Sequence, residues 1–274
     1  MDLKYTNRQS GIGEIERLII DTMTRLGEPI ITADSLEKEF GYKRAKSNLM
    51  LSRLCRKGWL QRLKSGVYRI IPLGSDTANP MPEDAWSIAM KLFSPCYISG
   101  WTAAEHWDLT EQIFNSTVIF TGKKQKKKNY NVAGLIYRTK FMSPEKFFGI
   151  QKIWSSNQPI QIADLHRTII DILDDPEIGG GGRHIVELIK AYWHKKEANS
   201  EILLQYAEKL NHGAVFKRLG FLAEAVMQMP DTWLEKLHPR IKSGVINFDP
   251  NGPTTGPIIS KWGMRINIPM EDIS

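Results

Sequence analysis

Lys43-Arg44-Ala45-Lys46-Ser47-Asn48-Leu49-Met50-Leu51-Ser52-Arg53-Leu54-Cys55-Arg56-Lys57-Gly58 is the stretch on which the fold turns. Met50, Leu51 and Leu54 fall together on one helical face, with Ser47 beside them, and Gly58 stops the helix. Ala45, Lys46, Leu49, Ser52, Arg53 and Arg56 fall on the other, with Asn48 at its edge. Beyond Gly58 the period changes. Trp59-Leu60-Gln61-Arg62-Leu63 and Val67-Tyr68-Arg69-Ile70-Ile71 are rich in aromatic and branched residues. Lys64-Ser65-Gly66 between them predicts a hairpin. From Gly41 to Pro72 there are nine basic residues and no acidic one. Like charge on a helix is often merely solvated. Nine to zero, in a segment patterned to fold, points to an anionic partner.

Upstream, Ile12, Ile15, Leu18, Ile19, Met23 and Leu26 recur at amphipathic-helix spacing, and Gly27 with Glu28-Pro29 ends that helix. A second helix is expected to start near Asp34, with Glu37 three residues on as a capping signal, and to close at Gly41. Helix, helix, helix, hairpin is the order of a winged helix-turn-helix, whose third helix enters the major groove. Arg44, Lys46 and Asn48 are then expected near base edges, with Leu49 able to touch a thymine methyl. Lys43, Arg53, Arg62 and Lys64 are expected at phosphates. A winged helix used only for protein contact is the competing use of the same fold.

The rest of the chain differs in composition. Of the 274 residues, 42% are hydrophobic and the net charge is +7. Residues 1–72 carry 14 basic and 8 acidic side chains, so nearly all of the excess lies there. Domains run to roughly 100–200 residues. The reading is a DNA-binding domain at 1–73, a Gly/Pro-bearing polar linker at 74–82, and a larger mixed α/β domain at 83–274. The fold class is α+β. No run approaches the ~18 apolar residues of a membrane span. The first residues show no apolar signal segment, so a cytoplasmic protein is expected. Cys55 and Cys96 form no metal or redox motif and read as structural thiols.

The second domain reads as a helix over 83–93, a short strand or turn at 97–100, strands near 118–121, 135–138 and 147–154, and helices over 101–109, 162–173, 184–194, 201–210 and 214–229. A late strand or hairpin is expected at 258–268. No regular βαβ alternation is present, so a doubly wound sheet is not expected. Candidate chemistry is sparse. Gly179-Gly180-Gly181-Gly182 precedes a helix but lacks the Gly-Lys-Ser/Thr ending of a phosphate loop, and reads as a connector. Asp164, His166, Arg167 and Asp171 lie on or near one helix, and Arg167 with Asp171 has ion-pair spacing. Lys123-Lys124-Gln125-Lys126-Lys127-Lys128 is a solvated hairpin tip or a second polyanion contact. No catalytic motif, metal-ligand set or cofactor motif is legible, so neither enzyme activity nor a cofactor is expected.

Four stretches, in this order, resemble the AbiEi family of antitoxins from bacterial type IV toxin–antitoxin pairs. They are Leu51 to Leu60 with Gly66-Val67-Tyr68, Pro95 to Trp107, Ala163 to Asp171, and Pro176 to Gly180. The resemblance spans about residues 11–230. It implies an abortive-infection protein of phage defence with two jobs. The N-terminal domain would bind inverted repeats in its own promoter and repress the operon. The C-terminal domain would counter a nucleotidyltransferase-like toxin, by direct contact or otherwise. The family offers no catalytic residue to carry over. A stand-alone regulator with a ligand- or partner-sensing C-terminal domain is the alternative. A nuclease using the residues near Asp164 is the third reading.

Overall fold

The computed structural model of the chain describes residues 10–28, 30–71, 82–155, 158–269 and 271. The first unit is α1 (Glu14–Arg25), β1 (Ile30–Thr32), α2 (Ala33–Phe40), α3 (Arg44–Arg56), β2 (Leu60–Lys64) and β3 (Val67–Ile70). Its strands form an antiparallel sheet in the order β1-β3-β2. The inward side of α3 is Ser47, Met50, Leu51 and Leu54, the face its spacing predicts. These residues close on Ile19, Met23, Ile31 and Leu36.

Three details of this unit differ from the sequence reading. In α1 the buried line is Glu16, Ile19 and Met23, while Ile15, Leu18 and Leu26 are about half exposed. Glu16 takes an inward place because its carboxylate accepts the Gly13 N–H at 2.9 Å and meets Lys57 at 2.6 Å. The cap of α2 is Thr32, not Asp34. Its hydroxyl accepts the Ser35 N–H, and the Ser35 hydroxyl accepts the Thr32 N–H, each at 3.2 Å. Helix entry at Thr32 frees Asp34 and Glu37 for another partner. Strand β1, with only three residues, is too short to show alternation and was not expected.

The larger unit is built on a six-stranded mixed sheet in the order β6-β7-β5-β4-β9-β8. Its strands are β4 (Cys96–Ile98), β5 (Ser116–Thr121), β6 (Asn129–Val132), β7 (Leu135–Phe141), β8 (Ile150–Ser155) and β9 (Gln158–Ala163). Pairs β5–β7 and β4–β9 are parallel, the others antiparallel. Strand β9 corrects the expected helix start at Ile162. The chain stays extended through Ala163, and Asp164 then caps α6 (Leu165–Asp174), its Oδ1 accepting the Arg167 N–H at 2.7 Å.

One sheet face is covered by α5 (Gly100–His106), α6, α7 (Gly182–Trp193), α8 (Ser200–Leu210) and α9 (Gly213–Ala225). The other is covered by α4 (Pro82–Phe93). Neighbouring strand residues therefore enter different cores: Val118 and Phe120 join one, Ile119 the other. The tail adds α10 (Asp231–Leu234) and short strands β10 (Ile246–Asn247), β11 (Ile258–Ile259) and β12 (Met264–Arg265). Trp262 is fully buried flush on Gly220, where an added Cβ would lie 2.2 Å from the ring.

The two units share a core. Ile30 and Val67 of the small sheet pack in one cluster with Ala85, Ile88 and Ala89 of α4. Three polar contacts rim it. Lys64 Nζ donates to the Leu92 carbonyl at 2.8 Å, Lys91 pairs with Glu28 at 3.0 Å, and Gln158 Nε2 donates to the Gly27 carbonyl at 3.1 Å. Of the linker expected at 74–82, all but residue 82 lies outside the described residues.

Candidate nucleic-acid interface

The outward side of α3 and its N-cap present six of the eight sequence-predicted residues together. Lys43 is the exposed N-cap residue. The Arg44 guanidinium is bonded to Asp34 and lies 3.3 Å from Glu37. That pairing raises its pKa further, through the Asp34 and then the Glu37 hydrogen bond. Lys46 stands 3.7 Å over the Tyr42 ring, a cation–π contact that fixes a flexible side chain. Asn48 is exposed, and Leu49 is 62% exposed, although apolar. Arg53 reaches back to Glu16 at 3.1 Å.

Glu16 is the anchor beneath this surface. The Gly13 N–H, and then Lys57, hold its carboxyl below the usual carboxylate range. Among the described residues no acidic side chain pairs with Lys43, Lys46 or Arg56. The helix therefore offers ammonium and guanidinium charge, an amide able to donate and accept, and one methyl-bearing contact, all on the solvent side. Such a set suits phosphates and base edges in a groove.

The two hairpin residues are placed differently. Arg62 is exposed and folds back, its Nε 3.4 Å from the Lys64 carbonyl. Lys64 is turned onto the end of α4, as described. Burial lowers its pKa, and the neighbouring charge of Lys123 lowers it further. Tyr42 was not singled out from the sequence. Its signal is an aromatic residue directly before a basic helix.

Elsewhere the polar candidates are spent on the fold. Arg167 and Asp171 are fully buried, with Nε 2.9 Å from Oδ1. Their approach is off-line for a directed hydrogen bond, so the pair holds by charge. The other Asp171 oxygen accepts the Ser99 hydroxyl at 2.8 Å and the Tyr97 hydroxyl at 3.1 Å. Burial pushes the Asp171 carboxyl up, and Arg167 opposes that shift. His166 Nδ1 meets the Tyr192 hydroxyl at 2.8 Å, and Asp164 accepts from Tyr206 at 2.7 Å. In the glycine run, the Gly182 N–H at the start of α7 donates to Asp249 Oδ2 at 2.7 Å. The anion place at that helix start is thus taken by the chain's own tail. Among the described residues no group of His, Cys, Asp and Glu could hold a metal ion. Cys55 and Cys96 are free thiols, and burial pushes Cys96 up to about 12.

Residues 25–71, the α2–α3–hairpin segment, match the family model described as "Transcriptional regulator, AbiEi antitoxin". The match supports a regulator or antitoxin role, and its description is that of a regulator rather than an enzyme. No curated protein matches the chain. Among solved structures, the crystal structure of the RV2827C protein from Mycobacterium tuberculosis is similar, with a TM-score of 0.57. It shares 12% identity and covers 93% of this chain and 92% of that one. At that identity the likeness shows the fold alone. No helix among the described residues is long and apolar enough to cross a membrane.

Proposed function

We propose that the chain is the antitoxin of a type IV toxin–antitoxin pair, and that its N-terminal unit represses its own operon by binding inverted repeats in the promoter. The observation that carries the reading is the outward face of α3 and its N-cap, where Lys43, Lys46, Asn48 and Leu49 stand exposed on a helix whose other face is packed in the core. Within this reading Lys46, Asn48 and Arg44 read bases, Leu49 packs on a thymine methyl, and Lys43 and Arg53 grip phosphates. Arg44 then exchanges Asp34 and Glu37 for DNA. Arg62 is the hairpin's phosphate contact. The domains divide as 1–73, 74–82 and 83–274, and the larger one counters a nucleotidyltransferase toxin encoded alongside. The place of action is the cytoplasm.

The test is fluorescence anisotropy with the DNA upstream of the gene, at several salt concentrations, beside an unrelated duplex. Tight, salt-dependent binding to the upstream sequence, abolished in a Lys43→Ala/Arg44→Ala/Lys46→Ala variant, is expected. Equal weak binding to both duplexes would sink the repressor half. Co-expression with the adjacent toxin tests the other half, and failure of growth rescue would sink it.

A further inference from the structure

Two carboxylates stand at the front of the basic face, and no helix cap uses them. Asp34 and Glu37 lie on α2, three residues apart, and both turn to Arg44 of α3. The cap of α2 is made by Thr32 and Ser35 instead. Among the described residues neither carboxylate pairs with another cation. The choice of Arg44 is selective. Of the three cations at the head of α3, Lys43 and Lys46 hold no acid, and Arg44 holds two.

These cations differ in what they can read. An ammonium is a point charge, which suits phosphate. A guanidinium is a planar fork of donors, which matches the paired acceptors O6 and N7 of a guanine edge. The acids thus restrain the cation of the set best able to carry sequence information. Both contacts are made by Nη1. Among the described residues Nε and Nη2 of Arg44 make no hydrogen bond, so that edge of the fork is open to an incoming base.

Charge decides what enters there. With one cation between two anions, this corner of the face carries a net −1. A phosphate would bring a further negative charge against both carboxylates. A guanine edge is neutral and supplies two aligned acceptors. Like charge set against the wrong partner is an established source of specificity. The pair lies near solvent and opens readily, so the acids act as a filter on what replaces them and not as a permanent lock.

We infer that Asp34 and Glu37 are specificity determinants of the DNA-binding face: they withhold the Arg44 guanidinium from backbone phosphate and yield it to a guanine edge. The inference rests on the reading of α3 as the helix that enters the major groove.

The test uses the full chain with Asp34→Asn/Glu37→Gln, which keeps the shape of both side chains and removes their charge. Affinity is measured for the upstream duplex and an unrelated one between about 50 and 200 mM salt. On the unrelated duplex, affinity should rise about tenfold, and the slope of log affinity against log salt should steepen by about 0.9, the value of one added phosphate contact. On the upstream duplex the rise should be no more than about threefold, so discrimination falls while the melting temperature stays near the wild-type value. In an Arg44→Ala chain the same two substitutions should give no such gain, because no guanidinium remains to be freed. Replacing guanine by 7-deazaguanine in the upstream duplex removes the N7 acceptor; it should weaken the wild-type chain and leave Arg44→Ala unaffected.

No gain, or equal gains on both duplexes, would overturn the inference and leave the α3 reading standing. So would a gain undiminished in the Arg44→Ala chain, since the acids would then merely repel DNA. Equal weakening of the wild-type and Arg44→Ala chains by 7-deazaguanine would overturn the guanine assignment. Loss of upstream binding in Asp34→Asn/Glu37→Gln would overturn it too, because the carboxylates would then be holding Arg44 in its reading position. A wild-type chain that binds both duplexes equally, or neither, would remove the α3 reading and the inference with it.

Discussion

Helices α3 and α6 carry similar charged side chains and use them in opposite ways. In α6, Arg167 and Asp171 are fully buried, enclosed by Tyr97, Ser99 and Phe148, and their charges hold the larger core together. In α3, Lys46 and the N-cap Lys43 stand exposed, Arg53 is exposed but pairs with Glu16, and the only buried polar side chain is Ser47. The difference teaches where charge becomes available for recognition. A cation enclosed by its own fold is committed before any ligand arrives. A cation on a face whose opposite side supplies the packing can be exchanged. Arg44 lies between these cases: it is paired to Asp34 and Glu37, but it is 60% exposed, and solvent screens a surface pair of this kind so that it is readily exchanged.

The sharpest break of this comparison is Asp171→Ala. It leaves the Arg167 guanidinium buried without its carboxylate, and a destabilisation of about 3–5 kcal/mol in urea unfolding is expected. Lys43→Ala/Arg44→Ala/Lys46→Ala should do the reverse. Its melting temperature should stay near the wild-type value, while specific binding to the upstream duplex is lost, a fall of about 100-fold or more, because Arg44 and Lys46 each read a base edge worth about 1–3 kcal/mol and Lys43 adds a phosphate contact. If the α3 variant unfolds and the α6 variant does not, the division of labour between the two helices is wrong.

Glu16 sharpens the picture from beneath α3. Its folded-state pKa lies below the ordinary 4.5, so its contribution is fully present above that value and is lost as pH falls from there through the folded-state pKa. Acid titration of stability should therefore be shallower below pH 4.5 in Glu16→Gln, which should also cost about 1–3 kcal/mol at neutral pH by removing the charge-assisted bonds. A wild-type and variant pair with parallel acid curves would remove Glu16 as the anchor.

The smallest effect belongs to the glycine run. Asp249→Ala should cost about 1 kcal/mol, the value of a helix cap, and should not alter binding to either duplex. Phosphate protection of that variant against thermal unfolding would show that the start of α7 accepts an external anion once its own is removed.

Much of the N-terminal unit was legible because its signals are local. The apolar positions of α3, Gly41 and Gly58 as stops, and Gly66 in the hairpin all act within a few residues of themselves. The outward face of α3 followed from the same periodicity. The errors fell where partners are distant. The spacing of Ile15 and Leu18 satisfies a helical stripe, yet only α3's position decides that Glu16, Ile19 and Met23 face inward. Ile162 reads equally well as strand or helix, and its pairing with Ile98 in the sheet settled it.

By itself the sequence determined the α+β class, the helix-turn-helix segment, the concentration of positive charge in it and the resemblance to an antitoxin family. These follow from periodicity and composition, which need no knowledge of neighbours. Only the tertiary structure decided which charges are free. It sealed Arg167 against Asp171 and placed Asp249 at the start of α7. It also turned Lys64 onto α4 and set Asp34 and Glu37 against Arg44. Availability of a charge depends on what lies within a few ångströms of it, and residues such as Gly182 and Asp249 meet only when the chain has folded.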